Sequence, residues 1–496
     1  MDRQDGRKVT FEEALNEAGF GLYSVVLLSL SGLIIISLVC IAYASTIIVP
    51  ASACELETTT SQKGLLAAVP VIALLLGAVP WGYLTDIYGR KRMLIILLSS
   101  SAVFNGLASI SVNWIMLLIL QFLSTFFSSG QFSQAMSILS ESVPMANRNI
   151  VVLLVGSIFL LSQGIMALMA IPIIPLSFSY YMPTLGIYWN SWRSLLLLYS
   201  APSLISIIGL LFISESPKFL FNKGLEKEAL SVVSRIHKIN NIWSKKEFPV
   251  SNIQRDRPHT TETKTALTDT FSSLFKRPLL KNTIILSTLF LFQQVGSFVL
   301  WLPTVSNQFV RILETGEGSD LTLCAIIRSS INTPPDTTTA PCALNVTSLL
   351  LVLSVSALQS IANGLISLII NRTGRRNVVI CVTAFCGIAG ILVNFVPNAI
   401  GSAVLYIVFL IGIVALGLYS AIAVALFPTY LRALAVAFTM TIGRIGTFVS
   451  VQVLNRLLND NCEISFYIYG GIFASSAIVA AFLVDDRQLQ PKKILE

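Results

Sequence analysis

Long apolar runs alternate with short polar breaks along almost the whole chain. Twelve of these runs come near the roughly 20 residues that a helix needs to cross the hydrocarbon core of a bilayer. In the first half they cover residues 23–49, 64–84, 93–112, 114–138, 150–175 and 193–214. In the second half they cover 281–304, 348–370, 378–396, 400–426, 434–458 and 464–484. The pattern predicts an all-α membrane protein with twelve transmembrane helices. The polar stretch 215–280 divides it into two six-helix halves, 23–214 and 281–484, with short polar ends at 1–22 and 485–496. Within 215–280, Lys223 to His237 carries apolar residues at helical spacing, which predicts short amphipathic helices on the membrane surface. Residues 244–265 are polar and read as linker. A plain tether is the alternative for the whole stretch.

Composition agrees with a membrane solvent. Of 496 residues, 54% are hydrophobic and 12% charged, against about 25% charged in an average soluble domain. Mean hydropathy is +0.77. The net charge of +8 does not indicate nucleic acid, because the basic residues cluster in loops between apolar runs. Arg90, Lys91, Arg92, Arg148, Arg372, Arg375, Arg376 and Arg432 fall on one side, together with 215–280. By the positive-inside rule that side is cytoplasmic, and so are both termini. Residues 1–20 are charged and the following apolar run is too long for a signal-peptide core, so no cleavable leader is expected.

Seven cysteines split into two groups. Cys40, Cys381 and Cys386 lie in apolar runs and read as packing residues. Cys54, Cys324, Cys342 and Cys462 lie in polar segments on the non-cytoplasmic side, where oxidation is permitted. Four cysteines allow three pairings; Cys324–Cys342 is the expected pair, since both fall in the loop 313–347. That loop also holds Asn345-Val-Thr347, an N-glycosylation acceptor pattern.

One short element occurs twice. Gly82-Tyr-Leu-Thr-Asp-Ile-Tyr-Gly-Arg-Lys-Arg92 follows the second run of the first half, and Asn371-Arg-Thr-Gly-Arg-Arg376 follows the second run of the other. A repeated turn at matching positions implies duplicated, pseudo-symmetric halves. Gly89 and Gly374 permit the tight turn. In this loop the major facilitator superfamily carries Gly-x-x-x-Asp-x-x-Gly-Arg-Arg/Lys, and the chain resembles it through Gly82, Asp86, Gly89, Arg90 and Lys91. The second copy keeps Gly374, Arg375 and Arg376 and replaces the acid with Asn371. The resemblance extends to Glu141 and Arg148 after the fourth helix, Trp192-Arg193 opening the sixth, Glu215-Ser-Pro-Lys218 closing it, and Phe427-Pro-Thr-Tyr-Leu-Arg432 after the tenth. These look like the sugar and organic-ion transporter group. Phe11-Glu-Glu-Ala-Leu-Asn-Glu-Ala-Gly-Phe-Gly21, Val49-Pro-Ala-Ser52 and Trp301-Leu-Pro303 resemble the synaptic vesicle glycoprotein 2 and SVOP-like branch. The large external domain of those glycoproteins is reduced here to 313–347. The resemblance implies a major facilitator fold in which Asp86, Arg90 and their neighbours latch the halves in one conformation and release them in the other.

The membrane interior is nearly free of ionisable groups. No Asp or Glu lies well inside a run, and His237 and His259 both fall in 215–280. Where the resemblance leads one to expect acidic residues there are Leu38, Ile41 and Ala425, and Gln121 replaces an Arg common in proton-coupled relatives. These departures argue against proton coupling through a buried carboxylate and against a cationic substrate. Arg444 is the charge that remains, near the middle of the eleventh run. Placing it there costs about 2.5–3.5 kcal/mol on insertion scales. A similar basic residue in organic-anion carriers implies that it binds an anionic group; holding backbone carbonyls is the alternative. Gln293-Gln294 resembles the paired Gln of sugar porters. With Gln121, Gln163, Asn363 and Trp301 it supplies candidate binding groups that can donate and accept, with interhelical bonding as the other use of such residues.

No Walker sequence, zinc-type Cys/His spacing or nucleophile–base set is present, so neither an enzyme nor a cofactor is expected. The expectation is a monomeric multi-pass carrier, in the plasma membrane or an intracellular vesicle, moving a small anionic or polyhydroxylated organic solute. The alternative is a transport-inactive vesicle protein that acts in trafficking or binds a partner.

Overall fold

The computed structural model describes residues 7–242, 248–253, 274–277, 279–315, 321–332, 345–427 and 432–483. Among the described residues, twelve helices are long and apolar enough to span a bilayer: Leu22–Ser52, Ser61–Tyr88, Arg90–Ala108, Trp114–Ser142, Met145–Ala170, Ser191–Phe212, Leu279–Asn307, Val346–Ile370, Arg375–Leu392, Ala399–Ala423, Ala435–Leu458 and Cys462–Ala481. They are numbered first to twelfth. Each expected run corresponds to one span. The fourth runs on past 138 to Ser142, which carries Glu141 on the end of a helix rather than in a loop.

Side chains such as Leu76, Val79, Val103, Leu211, Phe212, Leu368, Phe385 and Ile478 stand more than half exposed. Here the outer solvent is lipid, so large apolar residues line the rim and the small polar ones turn inward. Ser31, Ser37, Ser101, Asn105, Ser203 and Thr383 are all buried.

Four spans are interrupted, and they are every third one. The first breaks between Ala42 and Ser45, the fourth between Ser128 and Gln131, and the seventh between Phe292 and Val295. The tenth tightens to a 3-10 turn at Gly412–Val414. The interruption therefore falls on the first helix of each three-helix unit, a recurrence that fits repeats nested within the two halves.

The halves meet along the second and eleventh spans, along the fifth and eighth, and where Ser45–Ser52 reaches the second piece of the seventh. Small residues allow the close approach. A Cβ on Gly164 would stand 3.0 Å from Leu353 and Ser356 side-chain carbons, and one on Gly64 would stand 3.4 Å or less from three atoms of Asn455.

The face bearing the two Gly-Arg turns, here the basic face, also carries a folded layer. Strand Arg7–Val9 pairs in parallel with Val250–Ile253. Helix Phe11–Ala18 starts with a reciprocal cap between Thr10 and Glu13 and packs against helix Glu226–Asn240. Asn240 Nδ2 donates to the Gly19 carbonyl (2.7 Å), and Tyr23 N donates to Asn240 Oδ1 (3.0 Å). Glu12 pairs with Arg148 (3.0 Å) and Lys218 (3.3 Å). The described parts of the stretch after the sixth span, 215–242 and 248–253, are thus built into the first half, and a plain tether does not describe them; most of the expected linker 244–265 lies outside the described residues.

On the opposite face the expected Cys324–Cys342 pairing is corrected. Cys324 is bonded to Cys462, with Cα atoms 5.5 Å apart; Cys342 lies outside the described residues. Helix Leu323–Asn332 folds back over the second half and sets Cys324 on the start of the twelfth span. Proximity across the helix bundle, not nearness in sequence, selects the partner. Cys54 is also disulfide-bonded.

Candidate functional site

Both Gly-Arg turns are built as the sequence requires. Gly89 sits at φ 103° and Gly374 at φ 81°, each ending one span and capping the next. A side chain is disfavoured at both for the backbone alone. Gly89 has a second constraint, because its Cβ would lie 2.5 Å from Glu215 Oε2. The Glu215 carboxylate accepts from the Lys91 backbone N–H at 3.0 Å, placing a negative charge at the N-terminus of the third span, where the helix dipole favours it. Lys91 Nζ in turn donates to the Ile213 carbonyl (2.7 Å) at the end of the sixth span.

Arg90 binds Asp86 (3.1 Å) and Glu141 (3.2 Å) and lies over the Phe219 ring. Glu141 also accepts a very short bond from the Ser216 hydroxyl. Of the residues expected to gate, Asp86, Arg90 and Glu141 are brought together, all within the first half. Between described residues, no ion pair joins the two halves. Asp86 is 73% exposed, and a Cβ on Gly82, one turn earlier on the same helix face, would meet nothing within 4 Å. In the second half, Arg375 donates to the Ala421 carbonyl (3.3 Å) and Arg376 to the Ala481 carbonyl (2.5 Å). Both bonds stay within that half.

The polar ties between halves lie from the midplane to the opposite face, and the described ones are uncharged pairs or reach backbone carbonyls. Asn363 donates to Ser157 Oγ (3.1 Å) and Ser360 to the Ser157 carbonyl (3.0 Å). Gln163 donates to the Val299 carbonyl (3.1 Å) and Gln452 to the Gly64 carbonyl (3.3 Å). Arg444 Nη1 donates to the Leu74 carbonyl (2.9 Å), from the middle of the eleventh span to the middle of the second. The guanidinium lies within electrostatic reach of Tyr43, at the break of the first span. Arg444 thus holds a carbonyl across the interface, as the sequence alternative allowed.

The glycines beside Arg444 have a different partner. Gly443 backs onto Phe290, and a Cβ on Gly446 would stand 2.7 Å from Gln294 Nε2. The eleventh span thus turns its glycine face to the break of the seventh and its Arg to the second span. Gln293 and Gln294 are the two residues at that break. Gln293 Nε2 donates to the Gly412 carbonyl (3.1 Å), at the tightened turn of the tenth span. Gln294 Nε2 donates to the Leu291 carbonyl. Their Oε1 atoms are buried without a partner, as is Trp301 Nε1 two turns along. A buried polar group left unpaired costs about 1–3 kcal/mol; other buried side chains share this state, among them Gln121 Oε1 and both amide atoms of Gln134.

Gln121 is not part of this arrangement. It donates to Asn105 (3.5 Å), which donates to the Leu196 carbonyl (2.8 Å), a seam joining the third, fourth and sixth spans. Asn345 caps the eighth span, accepting from Thr347 N at 3.0 Å. A site that sequence reasoning missed lies on the opposite face. Arg193 is fully buried and donates to Glu55 Oε1 (2.6 Å) and to the Ser109 and Ser111 carbonyls (2.7 and 2.9 Å). Glu55 Oε2 also accepts from Trp192 Nε1 (2.7 Å) and Asn190 Nδ2 (2.5 Å). Arg193 was a visible motif residue; Glu55, just beyond the first span, carries no local signal.

The sequence matches the Major Facilitator Superfamily over residues 30–327, and the chain belongs to that superfamily. It is similar to human synaptic vesicle glycoprotein 2B, 27% identical over 49% of this chain and 36% of that protein. A Xenopus laevis synaptic vesicle 2-related protein is 24% identical over 95% of this chain and 80% of its own length. The chain thus spans only about a third of the first curated relatives it matches. Among solved structures, the inward-open xylose transporter XylE of E. coli aligns with a TM-score of 0.65 at 15% identity, over 94% of this chain and 99% of that one. At that identity the likeness concerns the fold.

Proposed function

We propose that this protein is an alternating-access carrier of a small organic solute rich in hydroxyl groups. The observation that carries the reading is the broken seventh span, where the Oε1 atoms of Gln293 and Gln294 and the indole N–H of Trp301 are buried without partners. Two acceptors and a donor flanking an interrupted helix suit a ligand whose hydroxyls both donate and accept. The uncharged surroundings favour a neutral polyol or sugar-like solute over a cation. Arg444 is half-buried and makes one described hydrogen bond, which leaves donors for an anionic substituent on such a solute.

The basic face is the cytoplasmic one in this reading, by the positive-inside rule. Gly82 and Asp86 then lie on an uncovered stretch of the second span, where the other half closes when the carrier turns outward. The membrane is the cell surface or a vesicle.

The test is a panel of sugars, polyols and organic anions against purified protein in nanodiscs, read by thermal shift, and in proteoliposomes, read by flux. A true ligand at 100 times its Kd stabilises by about 2.7 kcal/mol. We expect a hydroxylated solute to stabilise the protein and Gln293→Leu/Gln294→Leu to abolish the shift. Arg444→Ala should matter only for anionic members. Binding equal in wild type and the Gln variant would overturn the assignment of the site. Binding without flux under any gradient would favour a transport-inactive binding or trafficking protein.

A further inference from the structure

Between the fifth and sixth spans, on the face opposite the Gly-Arg turns, residues 171–190 contain no charged side chain and five aromatic ones. Tyr180–Met182 pairs antiparallel with Ile187–Trp189. The turn is closed by Leu185 and Gly186 N–H groups on the Met182 carbonyl (3.2 and 3.0 Å), with Gly186 at φ 64°. Strands of three residues do not make a stable hairpin in water on their own, so the faces of the hairpin need cover.

One face has it. Ile187 is buried, and Trp189 Nε1 donates to Ser194 at the start of the sixth span (3.0 Å). Side chains alternate across a hairpin, so Tyr181 and Tyr188 share the other face. Their rings touch, with centroids 5.1 Å apart, and both are more than half exposed; Tyr180, opposite Trp189 at the end of the other face, is 75% exposed, so that face is covered only in part. Leu176 and Leu185 in the same segment are also exposed, as are Leu168 and Leu197 on the two spans that the segment joins.

We infer that this hairpin is a membrane anchor, with Tyr181 and Tyr188 seated at the boundary between headgroups and acyl chains in the bilayer leaflet opposite the Gly-Arg turns. The occupant is lipid because the segment joins two membrane spans whose nearby apolar side chains, Leu168 and Leu197, are exposed as well. The segment also carries no charge to oppose burial among acyl chains. Tyrosine suits the interface because its ring is apolar and its hydroxyl stays wet. The hairpin would then fix the depth and tilt of the first half while the second half moves.

Spin labels placed separately at Thr184→Cys, which leaves every aromatic in place, and at Tyr181→Cys test this. The background is Cys381→Ser, since Cys40 and Cys386 are buried. In nanodiscs, power saturation should show stronger relaxation by oxygen, which partitions into lipid, than by a water-soluble nickel chelate. In detergent-free lipid of shorter chains the preference for oxygen should persist. Greater access to the chelate at either site would overturn the anchor. Protection from both reagents would overturn it too, because the cover would then be protein.

Discussion

Glu55→Ala should destabilise the first half more than any other single change on the face opposite the Gly-Arg turns. Arg193 has no exposed side-chain surface and Glu55 is 24% exposed, with 2.6 Å between them. Two unit charges about 4 Å apart interact by about 4 kcal/mol at an effective dielectric near 20. Removing one partner of a buried pair costs about 3–5 kcal/mol, because the remaining charge stays buried. Arg193 keeps the Ser109 and Ser111 carbonyls and its contact with the Trp192 ring, which places the loss near the low end, about 3 kcal/mol. Trp192, itself buried, also loses its acceptor. Glu55→Gln keeps an acceptor oxygen and should cost less. Arg193→Met should cost less again, since Glu55 keeps two donors and some solvent. The double variant Glu55→Gln/Arg193→Met should be more stable than the sum of its singles by about 2 kcal/mol, within the 0.5–3 kcal/mol seen for residues in contact. SDS-induced unfolding of purified protein, followed by circular dichroism, reads all four. A loss below about 1 kcal/mol for Glu55→Ala, or additive singles, would refute the claim that the pair carries a buried charge.

Around Arg90 the two carboxylates should behave unequally. Asp86→Asn should cost under about 1 kcal/mol, as exposed pairs do, while Glu141→Gln, whose carboxylate also holds Ser216, should cost about 1–3 kcal/mol in the same unfolding assay; the reverse order would contradict the geometry. Gly446→Val should cost about 1–3 kcal/mol by overpacking the break of the seventh span and should weaken solute binding, whereas Gly471→Ala, where a Cβ meets nothing, should change neither; equal effects would show that the break is not packed by that glycine.

What the sequence made legible follows from how each feature is encoded. The spans are written by local apolarity, and the breaks in them only partly. Gln293-Gln294 interrupts an apolar run, whereas Ser129-Gly130 and Gly412 do not stand out from the small residues around them. Gly89 and Gly374 were readable because a turn between two helices demands a positive φ. The Cys324–Cys462 bond, the Glu55–Arg193 pair and the Arg444–Leu74 tie were not. Each joins residues far apart in the chain, and the partner is an ordinary side chain or a backbone carbonyl. A carbonyl acceptor in particular leaves no trace in sequence, since every residue has one. Arg444 therefore looked like a charge awaiting a ligand when one of its donors was already taken.

That tie bears on how the molecule could move. If the halves rock, every polar contact now joining them must break and its groups must find new partners or water. The described ties are five hydrogen bonds, two at Ser157 and one each at Gln163, Gln452 and Arg444, each with a net worth of about 0.5–1.5 kcal/mol, or somewhat more for the charged donor. A set of that size can be outweighed by the differential binding of one solute, since a shift from 1:99 to 99:1 needs about 5.5 kcal/mol. The ion pairs between described residues, which cost more to separate when shielded from water, lie within the first half and its N-terminal and post-sixth-span layer and can ride through the motion intact. On this distribution of strong bonds within a half and weak bonds between halves, the rigid unit includes the N-terminal helix. Glu12 binds it to Arg148 and Lys218, and Asn16 accepts from the Met145 N–H at the start of the fifth span.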